Sequence, residues 1–183
     1  WRSQIVKLGA IATALNYRET PDRLVAMMQS VGVSLLFADA TSQAALSGFS
    51  GLPRILELSR TSIDDLTAVH REQQAVTEVQ ISDGNVILFT GGTTGVSKGV
   101  LLSHANLSWN VINQVLATRM TEWDTTLLGT ALHHSAALNT WLLPHLYLGG
   151  TAAILREFTA DAWIEMMQRE RVTNGFTPPT MAR

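Results

Sequence analysis

Two hydrophobic rhythms alternate along the chain, and the switches between them mark out its elements. A short unbroken apolar run at 33–38, as expected of a strand covered on both faces, and apolar runs at 86–89 and 100–102 read as strands, and so do residues 10–15, 53–58, 126–129, 151–155 and 172–177. Between them apolar residues return at spacings of three and four, as a helix with one buried face requires. Leu24, Val25, Met28 and Val31 form such a stripe behind Thr20 as N-cap and Pro21 at the first helical position, and Gly32 stops it. Leu107, Val111 and Val115, joined by Ile112 and Leu116, form a second stripe on a helix from Ser103 to about Thr118.

Smaller signals fill in the rest. Residues 3–8 read as the end of a helix, 41–46 as a helical turn or two, 63–69 as a short segment capped by Ser62, and 137–148 as a core helix. Phe158 and Trp163 flank Thr159 as a hydrophobic staple that opens a helix to about Glu170. Residues 71–82 are polar and without period, which predicts surface loop. Strands alternating with helices predict an α/β architecture, a largely parallel sheet flanked by helices. There is no internal repeat, low-complexity tract or boundary signal, so residues 1–183 read as part of one domain.

The pattern breaks most sharply after Phe89. Thr90, Gly91, Gly92, Thr93, Thr94, Gly95, Val96, Ser97, Lys98 and Gly99 separate two apolar runs. Glycines let the backbone take positive φ and approach a ligand closely. The hydroxyls and exposed N–H groups donate hydrogen bonds, and Lys98 adds a mobile positive charge. That donor set suits a polyphosphate, whose oxygens accept many hydrogen bonds at once. A glycine-rich hairpin connection without a ligand is the plainer alternative; hydroxyls clustered before a single lysine favour phosphate. The loop is not a Walker A motif, because Lys98 follows Ser97 and precedes Gly99. Nor does it carry the spacing or acidic partner of a dinucleotide fingerprint.

Composition narrows the field. Hydrophobic residues make up 46% and charged residues 15% of the 183 positions, fewer charges than a free-standing domain carries, so some surface is expected to be covered. A net charge of −2 without a basic cluster gives no case for nucleic acid. Zero cysteines exclude disulfides and thiolate metal sites. Residues 125–155 carry no Asp, Glu, Lys or Arg, but their histidines, Pro144 and the Gly149–Gly150 pair interrupt any run of the roughly 18 apolar residues that a membrane span needs. The chain opens on Trp1 without a signal-like start, and a cytoplasmic location is expected.

Residues 90–100 resemble the signature loop of the adenylate-forming, AMP-binding superfamily, which includes acyl-CoA synthetases, aryl-CoA ligases, luciferases and peptide-synthetase adenylation domains. The usual form is Thr-Ser-Gly-Thr-Thr-Gly-x-Pro-Lys-Gly-Val, then Ser-His and Asn-Leu. Thr90, Gly92, Thr93, Thr94, Gly95, Lys98, Gly99 and Val100 match it, as do Ser103, His104, Asn106 and Leu107. Gly91 stands where Ser is usual and Ser97 where Pro is usual, which removes a hydroxyl and a φ restraint and predicts a looser loop. Gly9-Ala10, Leu15-Asn16, Thr20-Pro21, Asp83, Val172-Thr173 and Pro179-Thr180-Met181 also fit the family, so the likeness covers essentially the whole chain. Asn16 and Arg18 read as loop and capping residues.

His133 and His134 follow a predicted strand, where ligands of open α/β sheets bind. On the residues alone they are structural imidazoles or pocket residues; a zinc site lacks a third ligand at helical or hairpin spacing. The family pattern at this place is Pro-Leu-Phe-His-x-x-Gly-Leu. His134 and Leu138 match its His and last Leu, while Ala131, His133 and Ala137 depart from its Pro, Phe and Gly. The resemblance implies that His134 borders the carboxylate pocket, and that the protein is of the acyl- or aryl-CoA ligase type rather than a peptide-synthetase domain.

It further implies ATP, Mg²⁺ and coenzyme A as cofactors, a carboxylic acid as substrate, and Thr90, Gly91, Gly92, Thr93, Thr94, Gly95 and Lys98 as the phosphate-gripping set, with Lys98 an electrostatic clamp. The family's Tyr-Gly-x-Thr-Glu and Thr-Gly-Asp segments and its small C-terminal domain with the catalytic lysine do not occur. The expectation is a partial N-terminal AMP-binding domain, inactive by itself, whose parent is the ligase. The competing expectation, encouraged by Gly91 and Ser97, is a degenerate, non-catalytic nucleotide-binding or scaffold module.

Overall fold

The computed structural model describes residues 2–59, 77–91 and 97–178, with side chains from Ile5 onward. Its backbone gathers into two compact units, residues 1–79 with 89–101, and residues 80–88 with 102–183. The predicted segment 63–69 and its cap Ser62 lie outside the described residues.

The first unit begins with α1 (Arg2–Lys7), β1 (Ala12–Thr13), α2 (Pro21–Ser30), β2 (Leu35–Ala38), α3 (Ala40–Leu46) and β3 (Arg54–Glu57). β2 and β3 pair in parallel, Leu35 opposite Arg54 and Ala38 opposite Glu57, with α3 as the crossover. Val25, Met28 and Leu46 are the buried centre, and Leu15, Leu24, Val33, Leu36 and Leu52 pack around them. The stripe on α2 therefore does what its spacing predicts. Gly32 stops the helix at φ +65, and the Val33 amide reaches back to the Met28 carbonyl at 3.0 Å. Thr20 occupies the N-cap without a side-chain hydrogen bond. Pro21, at the first helical position, has no N–H, so the helix starts with one fewer unpaired donor. Asp39, which periodicity does not reveal, caps α3 by accepting from the Ser42 amide at 2.7 Å. β2 is less covered than its unbroken apolar run predicts, with Leu35 40% exposed.

β4 (Gly84–Thr90) and β5 (Lys98–Ser103) each run through both units and are hydrogen-bonded neighbours in a sheet of order β1-β4-β5. In the second unit Val86 and Leu88 pack under Leu107, with Leu102 and Leu143 around them. Leu107 belongs to α4 (His104–Thr118), whose Ser103 N-cap forms a capping box with Asn106. The first amides of α4 are met from the turn before β4, His104 by the Asp83 carbonyl at 3.0 Å and Ala105 by the Ile81 carbonyl at 2.8 Å. Leu116, expected on the core face, is 72% exposed.

The rest of this unit is a parallel sheet of order β7-β6-β8: β6 (Thr125–Leu128) lies between β7 (Thr151–Ile154) and β8 (Asn174–Phe176). Thr126, Leu127 and Leu128 are buried. The expected single helix 137–148 is instead a π-helical segment, Ala136–Leu142, continued by α5 (Leu143–Leu148). Pro144 supplies the reason: it cannot donate to the carbonyl four residues back and its ring crowds it. The backbone widens, and the Leu143 amide bonds five residues back to Leu138. His145, fully buried, donates from Nδ1 to the Trp141 carbonyl at 2.7 Å. Thr159 caps α6 (Ala160–Arg169), and the Phe158 and Trp163 rings lie 5.7 Å apart, as the staple predicts.

One residue, through its carboxylate and its backbone carbonyl, ties the amino ends of all three strands. Asp124 accepts from the Thr173 hydroxyl and the Thr121 amide, both at 2.7 Å, and its carbonyl takes the Thr151 amide at 3.0 Å. The Thr173 hydroxyl, and after it the Thr121 amide, hold its carboxyl below the usual 3.8. A depressed folded value stabilises the fold above the unfolded value, and that gain disappears as pH falls through the folded one. Asp124→Ala is expected to cost about 0.5–1.5 kcal/mol near neutral pH, the net worth of hydrogen bonds whose partners are exposed. Thermal melts from about pH 7 down to pH 2 should show the gap between variant and wild type closing below about pH 4; a pH-independent gap would remove the carboxylate from this role.

Candidate functional site

The glycine–hydroxyl segment leaves the carboxyl end of β4. Thr90, the last residue of that strand, is exposed, and so is Gly91 after it. Gly92, Thr93, Thr94 and Gly95 lie outside the described residues. Ser97 and Lys98 bring the chain back, with Lys98 as the first residue of β5 rather than a loop residue. Hydrophobic patterning starts that strand two residues late because its first four residues are all exposed, and its opening Lys-Gly pair has no apolar signature.

Three observations define the described edge of this loop. The Thr90 hydroxyl donates to the Lys98 carbonyl at 3.4 Å, joining the two strands across the mouth. A Cβ added at Gly91 would meet no atom of the described residues within 4 Å, so the backbone there is open on their side. Arg23 of α2 reaches the Ser97 hydroxyl with Nη2 at 3.5 Å while Nη1 pairs with Glu19 at 2.9 Å. An exposed ammonium, a hydroxyl and an uncovered glycine backbone are donors at this described edge. This set fits a polyphosphate. Arg23 was invisible to sequence reasoning, because 74 positions separate it from Ser97 and it reads as an ordinary exposed helix residue.

The second unit carries the histidine pair. β6 is the strand at which the order reverses: the chain steps from β6 to β7 on one side, then crosses to β8 on the other. Right-handed crossovers then place the two connecting helices on opposite faces. The contacts agree, since Trp163 of α6 covers Gly175 while Trp141 of the π-helical segment stacks on the neighbouring Phe176, ring centres 6.1 Å apart. Ligands of open parallel sheets bind outside the carboxyl ends of the strands at such a reversal. Gly129, next after β6, is required there, because a Cβ would stand 2.6 Å from the Trp163 ring.

His133 and His134 follow this point, in the turn before the π-helical segment. Their rings lie 4.2 Å apart and tilted by 47°. His133 is half-buried and His134 exposed. The His134 amide closes the turn on the Ala131 carbonyl at 3.1 Å, and its own carbonyl receives the Leu138 amide at 3.2 Å, so the backbone that carries the ring is fixed at both ends. Among the described residues no group of three His, Asp or Glu side chains could hold a metal ion. His104, the other histidine of the resemblance, lies within 3.1 Å of the buried Asn85 amide group and supports the start of α4.

The second unit thus carries an imidazole pair beyond the carboxyl end of the central strand of an open parallel sheet, and the first unit carries the described edge of a donor-rich loop between β4 and β5. The chain belongs to the AMP-binding enzyme family, whose pattern it matches over residues 5–183. It is 32% identical over 176 residues to feruloyl-CoA synthase of Amycolatopsis sp, covering 94% of this chain and 34% of that protein. Its fold is shared with ATP-bound MatB from Rhodopseudomonas palustris, with a TM-score of 0.87 and 24% identity over 98% of this chain and 37% of the other. The O-succinylbenzoate coenzyme A synthetase of Bacillus subtilis, solved with ATP and magnesium ion, has a TM-score of 0.81 at 21% identity, over 98% of this chain and 36% of the other. The chain thus spans about a third of the length of the curated relatives it matches. Among the described residues, no helix is long and apolar enough to cross a membrane.

The open surroundings of Gly91 make a direct prediction. Gly91→Ser is expected to leave the unfolding free energy within about 0.5 kcal/mol, as for other unstrained surface changes. Denaturant titration reads this, and a loss of about 2 kcal/mol or more, the scale of an overpacked site, would contradict the open geometry.

Proposed function

We propose that the chain is part of the large N-terminal domain of an acid–thiol ligase, which activates a carboxylic acid with ATP and passes the acyl group to coenzyme A. The observation that carries this reading is the loop between β4 and β5, whose exposed Thr90, Gly91 and Lys98 supply a hydroxyl, open backbone and a positive charge together. Membership in the AMP-binding enzyme family supports it.

In the first half-reaction a carboxylate oxygen attacks the α-phosphorus of ATP, the bond to the β-phosphate oxygen breaks, and pyrophosphate leaves with its electron pair. In the second, a thiolate attacks the acyl carbon and AMP departs. Thr90, Gly91, Gly92, Thr93, Thr94 and Gly95 grip the β- and γ-phosphates in this reading, and Lys98 neutralises charge on them as they leave. Lys98 is a clamp and not a nucleophile. Mg²⁺ belongs with the triphosphate, since such ions are held largely by substrate phosphates. His134 borders the acid. The names of the relatives, feruloyl-CoA synthase, indoleacetate–CoA ligase and 4-coumarate–CoA ligase, favour an aryl acid over a fatty acid. A cytoplasmic location goes with the proposal, as ATP and coenzyme A are abundant there.

Two measurements test it. Lys98→Ala in the full-length protein is expected to slow acid-dependent pyrophosphate release by about a hundredfold or more, the scale of losing one preorganised charge contact, with the thermal midpoint unchanged. An unaltered rate removes Lys98 from the reaction. The 183-residue chain alone is expected to release no pyrophosphate with any acid of a fatty and aryl panel; turnover by it would refute the partial-domain assignment, and a full-length protein that binds ATP without turnover would favour the scaffold alternative.

A further inference from the structure

We propose that Arg23 is a positioning residue for Lys98, acting through the hydroxyl of Ser97; the proposal rests on the adenylation reading above. Lys98 carries its ammonium on a flexible four-carbon arm, so where that charge can reach depends on how the arm's root is held. The root is held at two points. The Thr90 hydroxyl reaches the Lys98 carbonyl at 3.4 Å, and the Ser97 hydroxyl, one residue earlier, receives Arg23 Nη2 at 3.5 Å. Arg23 is itself oriented, because Nη1 is paired with Glu19 at 2.9 Å, one helical turn earlier. The guanidinium is planar, so fixing one edge on Glu19 aims the other at Ser97. α2, anchored through Val25 and Met28 in the core of the first unit, thereby supplies a rigid base for the start of β5.

Serine makes this possible. A proline at that position would fix φ by its ring and offer no hydroxyl. Here the restraint comes from a side chain 74 positions away instead. Both contacts are long and exposed, so the tether is modest, of the order measured for surface pairs. Its effect falls on the charge that Lys98 brings to the leaving phosphates, which appears in kcat/KM.

The test is a double-mutant cycle in the full-length protein. Arg23→Ala and Ser97→Ala are each expected to lower kcat/KM for ATP by about threefold with the thermal midpoint unchanged, and the double variant to be no worse than either single one. Glu19→Gln should give a smaller fall of the same kind. Additive effects in the double variant would overturn the proposal. Hydrogen exchange at the Lys98 and Gly99 amides supplies a readout that needs no turnover: both single variants should speed it, and the double variant no further. If wild type releases no pyrophosphate with any acid, the adenylation reading fails while the exchange cycle still decides the tether. Unchanged exchange in Arg23→Ala would refute the tether whatever the activity.

Discussion

The double burial of β6 is the constraint from which the second unit follows. Thr126, Leu127 and Leu128 are shut off from solvent, so both faces of the strand must be covered by something apolar. A chain that leaves such a strand to one neighbour and then crosses to the other covers both faces with its own connections. The π-helical segment with α5 covers one and α6 the other. The carboxyl end of β6 is then the place where the two coverings part, and it cannot be filled by either. Gly129 and the His133–His134 turn occupy that opening, with Trp163 so close over Gly129 that no side chain fits there. Asp124 closes the opposite end by taking hydrogen bonds from Thr121 and Thr173. One end of the sheet is thus stapled and the other left open.

The same logic of a fixed base and a free edge operates at β4 and β5. Val86 and Leu88 are fastened under Leu107, and the first amides of α4 are met by carbonyls of the turn before β4. The strand has no freedom to slide, so the residues beyond it leave from a defined point. Toward the loop, covering stops: Thr90, Gly91 and Lys98 are all exposed. Polar groups that face water keep their hydration and cost little to leave there. Order is concentrated in the apolar base, and the described edge is held by the Thr90–Lys98 and Arg23–Ser97 contacts, both long and exposed.

Much of this was legible in the order of residues. The stripes on α2 and α4, the Ser103 and Thr159 caps, the Phe158–Trp163 staple and the parallel pairing all express local chemistry, in which a residue's neighbours in sequence decide its fate. The glycine–hydroxyl loop was legible for the same reason, since its donors are contiguous. What escaped was set by distance or competition. Pro144 sits in an apolar run that reads as one helix, and only the backbone shows the detour through i+5 bonding that it requires. Asp39 caps α3 from a position that periodicity treats as loop. Leu116 falls on the right helical face by spacing yet is left uncovered. Arg23 gives no signal at all, because its meaning lies in a residue far along the chain.

The two departures from the family's usual loop have different physical content, and the geometry separates them. Gly91 gives up a hydroxyl, and among the described residues no atom stands in the space that a side chain would take. Ser97 gives up a ring that would have fixed φ, but it brings an oxygen that Arg23 reaches. The residue before the loop's lysine is thus reached by a guanidinium that Glu19 orients, and that lysine's carbonyl is bridged to Thr90 across the mouth. A proline restrains the chain from within its own backbone. At Ser97 the contact comes from a side chain of α2 instead, so the start of β5 is braced from a neighbouring helix.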